Sequence, residues 1–149
     1  MQYIDDHAIH LLFSANRWEL LPDIKKLLQK STNIIVDRYS NSGIAFSAAK
    51  PNMDLRWCQQ SESGLLKPDL VIFLGIDLVE AQTRGQYERY ENLEMQKVVR
   101  SNYLKLQDET CRVVDASRSM EEVGRDVCRL VQEALDNITP DSALKQLWI

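Results

Sequence analysis

An α/β fold built on a parallel sheet is what this sequence predicts, from three observations. Short apolar, β-branched runs occur at Asn33-Ile34-Ile35-Val36, Leu70-Val71-Ile72-Phe73-Leu74 and Cys111-Arg112-Val113-Val114-Asp115. Stretches with helical apolar spacing separate them, as expected of strands and helices in alternation. Each run passes at its carboxyl end into polar residues: Asp37-Arg38, Gly75-Ile76-Asp77 and Asp115-Ala116-Ser117-Arg118. Ligands of parallel sheets sit beyond those ends. Three strands make a thin sheet for this class, which points to further strands outside these residues.

Taken in order, Asp5 or Asp6 caps a helix to about Glu19, with Ile9, Leu12, Phe13 and Ala15 at helical spacing. Pro22 suits the first turn of a second helix carrying Ile24, Leu27 and Leu28. The run at 33–36 reads as a buried strand. Ser40-Asn41-Ser42-Gly43 reads as a polar loop, with a helix from Ile44. Pro68 introduces the second strand, and Asp77 with Glu80 resembles a capping pair for a short helix. Residues 84–91 form a charged loop, and a long helix runs from about Leu93 to Leu106. After the third strand, Ser119 and Glu122 make a capping box for a helix to about Asn137.

The 149 residues are 44% hydrophobic and 27% charged, enough apolar material for one domain core. A net charge of −4 gives no broad attraction to a nucleic-acid polymer or an acidic membrane. A small acidic ligand would need a local basic pocket. Three cysteines, odd in number and without C-x-x-C spacing, favour reduced thiols in a cytosol-like compartment. No apolar run approaches the ~20 residues that span a bilayer, and Met1 to Asp6 lacks the blocks of a signal peptide. A soluble, cytoplasmic protein is expected, with the nucleus also open. No internal repeat or linker marks a domain boundary, so residues 1–149 are read as a single domain.

Asp37 ends an apolar strand, the position from which phosphoryl-transfer proteins hold magnesium directly or through water; it serves equally as a turn cap. The neighbouring Arg38 suits bidentate phosphate binding or a simple salt bridge. Phe13 and Arg17, four apart, share a helix face, where a ring can stack on a planar base while a guanidinium donates to its oxygen. Core packing and a solvated arginine are the alternative. The 84–91 segment, with two arginines and two tyrosines, can close over phosphates or remain a solvated loop. His7 and His10 lack zinc-site partners and read as structural. No glycine is followed by lysine, so the G-x-x-x-x-G-K-[ST] phosphate loop does not occur in these residues.

Together these segments resemble the thymidylate kinases, the eukaryotic-type members in particular. The resemblance rests on His10-Leu11-Leu12-Phe13-Ser14-Ala15-Asn16-Arg17-Trp18-Glu19, Asp37-Arg38-Tyr39, Ser42-Gly43 and Ala45-Phe46-Ser47-Ala48-Ala49-Lys50. Trp57-Cys58, Gly64-Leu65, Lys67-Pro68-Asp69-Leu70, Glu88-Arg89-Tyr90-Glu91 and Val114-Asp115-Ala116-Ser117 continue it in the same order. It implies a parallel sheet of the P-loop nucleoside-monophosphate kinase type and the reaction ATP + dTMP → ADP + dTDP, with Mg2+. Phe13 would stack on thymine and Arg17 would bond its carbonyl edge. Arg38 would hold the dTMP phosphate, with Asp37 near the magnesium and its waters. Ser42, Gly43 and Phe46 would line the nucleoside pocket, and Tyr90 would stand near the sugar's 2′ side. Arg84 and Arg89 would lie in a lid over 84–91, and Ser117 and Arg118 near adenine.

Members of the family begin with a strand, a P-loop and a second βα unit, on the order of 60 residues at ~30 per unit. The present residues correspond to the remainder of the family's domain, on the carboxyl side of those units. The resemblance therefore implies an incomplete kinase domain, with the P-loop strand expected between the runs at 33–36 and 70–74. Taken alone, these residues are expected not to turn over dTMP. A catalytically dead dTMP-binding or dimerisation module is the alternative, and a fragment that folds poorly is a third. Homodimers are implied for the complete enzyme, with the Phe13/Arg17 helix as a contributor.

Overall fold

The computed structural model describes residues 4–76, 93–139 and 142–149. They divide into two compact units, each with its own packing. The first comprises the described residues of Met1–Lys67, Val98–Leu106 and Gln146–Ile149; the second those of Pro68–Lys97 and Gln107–Lys145.

The first unit is helical. Asp5 caps α1 (Asp6–Gln29), its carboxylate accepting from the amides of His7 at 2.9 Å and Ala8 at 3.4 Å. The sequence predicts two helices here, but Pro22 lies inside one continuous helix. A proline in a helix interior forfeits one backbone bond. Burial of Leu21 and packing of Ile24 and Leu28 against the same apolar cluster hold the helix together on both sides of it. That cluster is Leu21, Leu65, Leu66 and Leu147, flanked by Tyr39 and Trp148. The chain's last residues close it: Leu147 donates to the Leu65 carbonyl at 2.8 Å and its own carbonyl accepts from Gly64 at 2.9 Å. Gly64 sits at φ +94°, where a side chain would also press on Trp18.

In its first half, the stripe that α1 buries is polar. His10 and Ser14 are buried while Leu12 and Phe13 are 63% and 60% exposed. At successive turns His10, Ser14 and Trp18 reach the same segment. The His10 ring contacts the Cys58 carbonyl at 3.1 Å and the Ser61 hydroxyl at 3.1 Å, and Ser14 and Trp18 donate to the Ser61 carbonyl at 2.8 and 2.9 Å. That segment belongs to α3 (Leu55–Gln60), capped by Asp54, and the turn after it. Between them lies α2 (Ser40–Ser47), which begins at Ser40 rather than Ile44 and buries Ile44 and Ala45 completely. Ser47 on α2 meets the His10 ring at 2.9 Å. From α4 (Leu93–Lys105), Asn102 donates to the Ala45 carbonyl at 3.1 Å.

The run at 33–36 is not a strand. Its backbone has no ladder partner among the described residues, and Ile35 is 95% exposed. β-branched composition does not make a strand without a neighbour to bond.

In the second unit, β1 (Val71–Gly75) and β2 (Cys111–Asp115) pair in parallel, from Val71 opposite Cys111 to Gly75 opposite Asp115. The described sheet thus has two strands where the sequence predicts three. α5 (Met120–Asn137) packs on β2 and opens with the predicted capping box: Ser119 accepts from the Glu122 amide, and the Glu122 carboxylate accepts from the Ser119 amide. The Glu122 carboxylate also accepts from the Ser119 hydroxyl, and these bonds hold the exposed Glu122 carboxyl below its ordinary pKa.

All three cysteines are free. Burial, with the anions of Asp54 and Glu62 behind it, pushes the Cys58 thiol up to about 11, whereas Cys128 is exposed. A thiol reagent at neutral pH should therefore label Cys128 on mixing and Cys58 only on unfolding, as peptide mass mapping would show. Because the folded pKa is the higher one, this contribution to stability is present below the ordinary thiol value of 9.0 and is lost as pH rises through about 11. Labelling of Cys58 in the native chain at the rate of Cys128 would contradict the packing.

Candidate functional site

Most of the sequence-predicted substrate residues gather around α2. Phe13 and Arg17 lie one turn apart on α1, with the ring exposed and therefore outside the core. Arg17 is anchored. Its Nε donates to Glu62 Oε2 at 2.9 Å and its Nη2 to Glu62 Oε1 at 2.7 Å, a side-on fork on a carboxylate that is fully buried. Ser40, at the start of α2, donates to the same Oε2 at 2.8 Å. The guanidinium lies against Gly43, where any β-carbon would collide with Nη2.

Arg38 stands just before α2 at φ 65°, a left-handed conformation that costs a side-chain-bearing residue about 1–3 kcal/mol. Its guanidinium lies over the Phe46 ring, 5.0 Å from the centroid, and is exposed. Cation–π contact of this kind is worth roughly 0.5–1 kcal/mol at an exposed site. No carboxylate pairs with Arg38 among the described residues. Its neighbour is Tyr103 on α4, whose phenol is raised above its ordinary pKa by burial. A hydrogen bond from Ser42 and the Arg38 charge oppose that rise. Tyr39 is likewise raised, first by burial and then by the Glu62 anion, with Arg17 opposing.

Asp37 is exposed, and no group of three or more metal-ligating side chains occurs among the described residues. In the second unit, Asp115 closes the turn after β2 by accepting from the Ser117 amide at 2.9 Å. Arg118 donates to the Asp115 carbonyl at 3.2 Å and pairs with Asp126 on α5, which lowers the Asp126 pKa. Arg84, Arg89 and Tyr90, with the Asp77/Glu80 pair, lie outside the described residues.

Residues 1–127 match the family model for thymidylate kinase. The chain belongs to the thymidylate kinase family. The human thymidylate kinase is 45% identical over 150 residues, covering 97% of this chain and 70% of that protein. The Danio rerio enzyme is 42% identical over the same shares of each chain, and the Arabidopsis thaliana enzyme is 46% identical over 97% of this chain and 56% of that protein. A solved thymidylate kinase from Candida albicans matches with a TM-score of 0.86 at 31% identity, over 98% of this chain and 75% of that one. The reaction of thymidylate kinases is phosphoryl transfer from ATP to dTMP, so the chain is a phosphotransferase by family, with an α/β fold and a small parallel sheet. No helix among the described residues is long and apolar enough to cross a membrane.

Sequence reasoning missed Glu62 and Tyr103, although both touch the thymidylate kinase segments directly. Neither sits in a motif with a chemical meaning of its own. Replacing Asn102 by Ala removes the bond to the Ala45 carbonyl, and should destabilise the first unit by about 0.5–1.5 kcal/mol. Denaturant titration of the chain before and after the change measures it.

Proposed function

We propose that this chain carries the thymidylate-binding part of a dTMP kinase, with the nucleotide seated along α2. The observation that carries this reading is the placement of Arg38: exposed, unpaired by any described carboxylate, and held at positive φ beside α2. A cation held in that way is suited to a ligand's phosphate. Phe13 stacks on thymine, Arg17 donates to the carbonyl edge, and Ser42, Gly43 and Phe46 line the nucleoside pocket. Tyr90 stands near the sugar, Arg84 and Arg89 belong to a lid at 84–91, and Ser117 and Arg118 approach adenine. A lone exposed carboxylate such as Asp37 fits Mg2+, which keeps most of its waters and is held by one or two carboxylates with substrate phosphates. The metal supplies charge neutralisation at the transferring phosphoryl group. Leu12, Leu20 and Leu27, all exposed on α1, suit pairing with a second copy in a homodimer.

The 149 residues contain no glycine followed by lysine, hence no phosphate-loop lysine. By themselves they are proposed to bind dTMP without turning it over, as a complete parallel sheet of the P-loop kinase type would be needed for ATP. A coupled assay on the purified chain should show no turnover near the ~1–100 s⁻¹ of kinases.

Arg38→Ala should weaken dTMP binding by roughly tenfold or more, the cost of losing charge-assisted bonds to the phosphate. Arg38→Lys should restore it only in part, because the planar fork is lost. Binding of thymidine, which has no phosphate, should scarcely change. Calorimetry with both ligands is decisive: equal dTMP affinity in parent and Arg38→Ala would remove Arg38 from the site. Phe13→Ala should weaken both ligands by about 1–3 kcal/mol, since stacking does not depend on the phosphate.

A further inference from the structure

We propose that Glu62 is the positioning residue for nucleobase selection, fixing Arg17 so that the guanidinium offers a donor in a single direction. This rests on the reading of Arg17 as the contact to the base. Burial is the starting point. The Glu62 side chain has 0% exposure, and a carboxylate in that state is tolerable only when its oxygens are occupied by donors. Three donors occupy them: Arg17 Nε, Arg17 Nη2 and Ser40 Oγ. The carboxylate therefore has no cheap alternative arrangement, and neither has the arginine that satisfies it.

The side-on geometry decides what is left over. It commits Nε and Nη2 of Arg17 to Glu62, while Nη1 makes no hydrogen bond among the described residues. Gly43 supplies the remaining wall, approaching the guanidinium more closely than any residue with a β-carbon could. With the Arg17 side chain only 14% exposed, the plane of the fork is set by its neighbours rather than by solvent. A donor fixed in this way discriminates between pyrimidines. Thymine offers an acceptor at O4, whereas cytosine offers an amino donor at the same place. An anchored guanidinium facing that amino group leaves donors unpaired on both sides, and it cannot swing away without uncovering Glu62. A mobile arginine could retreat to water and would discriminate less.

The test uses the full chain, with dTMP and dCMP as probes in calorimetry. Four proteins are compared: parent, Glu62→Gln, Arg17→Ala and the double variant, with the Arg17 Nε–H signal followed by NMR. Glu62→Gln should cost about tenfold or more of the preference for dTMP over dCMP, from a weakened charge-assisted bond. It should also bring the Arg17 Nε–H into fast exchange with water. In the Arg17→Ala background, the same change should move the preference by less than about twofold, because residues acting through one another are not additive. Equal loss of affinity for both nucleotides, or an undiminished effect without Arg17, would make Glu62 a strut of the fold and overturn the proposal. An Arg17→Ala chain that keeps the parent's preference would instead overturn the reading of Arg17 itself, while the Nε–H signal still reports whether Glu62 holds the arginine. Should Glu62→Gln fail to fold, Gly43→Ala displaces Nη2 and leaves the carboxylate in place. It should erode the same preference, and an unchanged preference there sinks the idea.

Discussion

A carboxylate sealed from water ties together the segments of the first unit. Glu62 lies between α1 and the start of α2, and its oxygens are filled from both, by Arg17 and by Ser40. An unpaired carboxylate there would cost several kcal/mol, so the three segments adopt the one arrangement that supplies every donor. That arrangement brings Arg17 against Gly43 at the start of α2. Once α2 is fixed, Asn102 of α4 has one place to bond, the Ala45 carbonyl. The site is thus downstream of a single charge.

The parts of the fold that were legible in the sequence are those decided locally. The Ser119/Glu122 capping box and the runs that become β1 and β2 carry their own chemistry within a few residues. The run at 33–36 has the same β-branched composition, yet it forms no strand, because a strand also needs a bonded neighbour and none of the described residues provides one. Pro22 misleads for the complementary reason. It is a good first-turn residue, but burial of Leu21 outweighs one lost helix bond, so α1 continues through it.

Within the site, spacing placed Phe13 and Arg17 on neighbouring turns, the end of the apolar run at 33–36 pointed to Arg38, and the family resemblance singled out Ser42, Gly43 and Phe46. What spacing could not reveal is the partner of Arg17. Glu62 is 45 residues away in sequence and stands in Gln60-Ser61-Glu62-Ser63-Gly64, a stretch that reads as an ordinary polar turn. Tyr103 is similarly mute, an aromatic on a long helix that would suit a core as well as a pocket. Pairing of distant charges is decided by the fold, and the sequence alone offers candidates without matching them.

The first half of α1 inverts the usual division between faces of a helix, while Leu21, Ile24 and Leu28 pack the second half on the apolar cluster. The helix buries His10 and Ser14 and leaves Leu11, Leu12, Phe13 and Leu20 exposed. Apolar burial is non-directional, so a helix held by a leucine stripe can slide or roll at little cost. A helix held by an imidazole, a hydroxyl, an indole and a guanidinium, each with a partner within hydrogen-bond reach, cannot. Rolling α1 by one residue would break the bonds to Cys58, Ser61 and Glu62 together. The polar seam therefore fixes the azimuth of Phe13 and Arg17 as apolar packing would not. A pocket that tells one pyrimidine from another by the direction of a donor requires that fixity. The exposed leucines on the same helix lie outside the described apolar cluster.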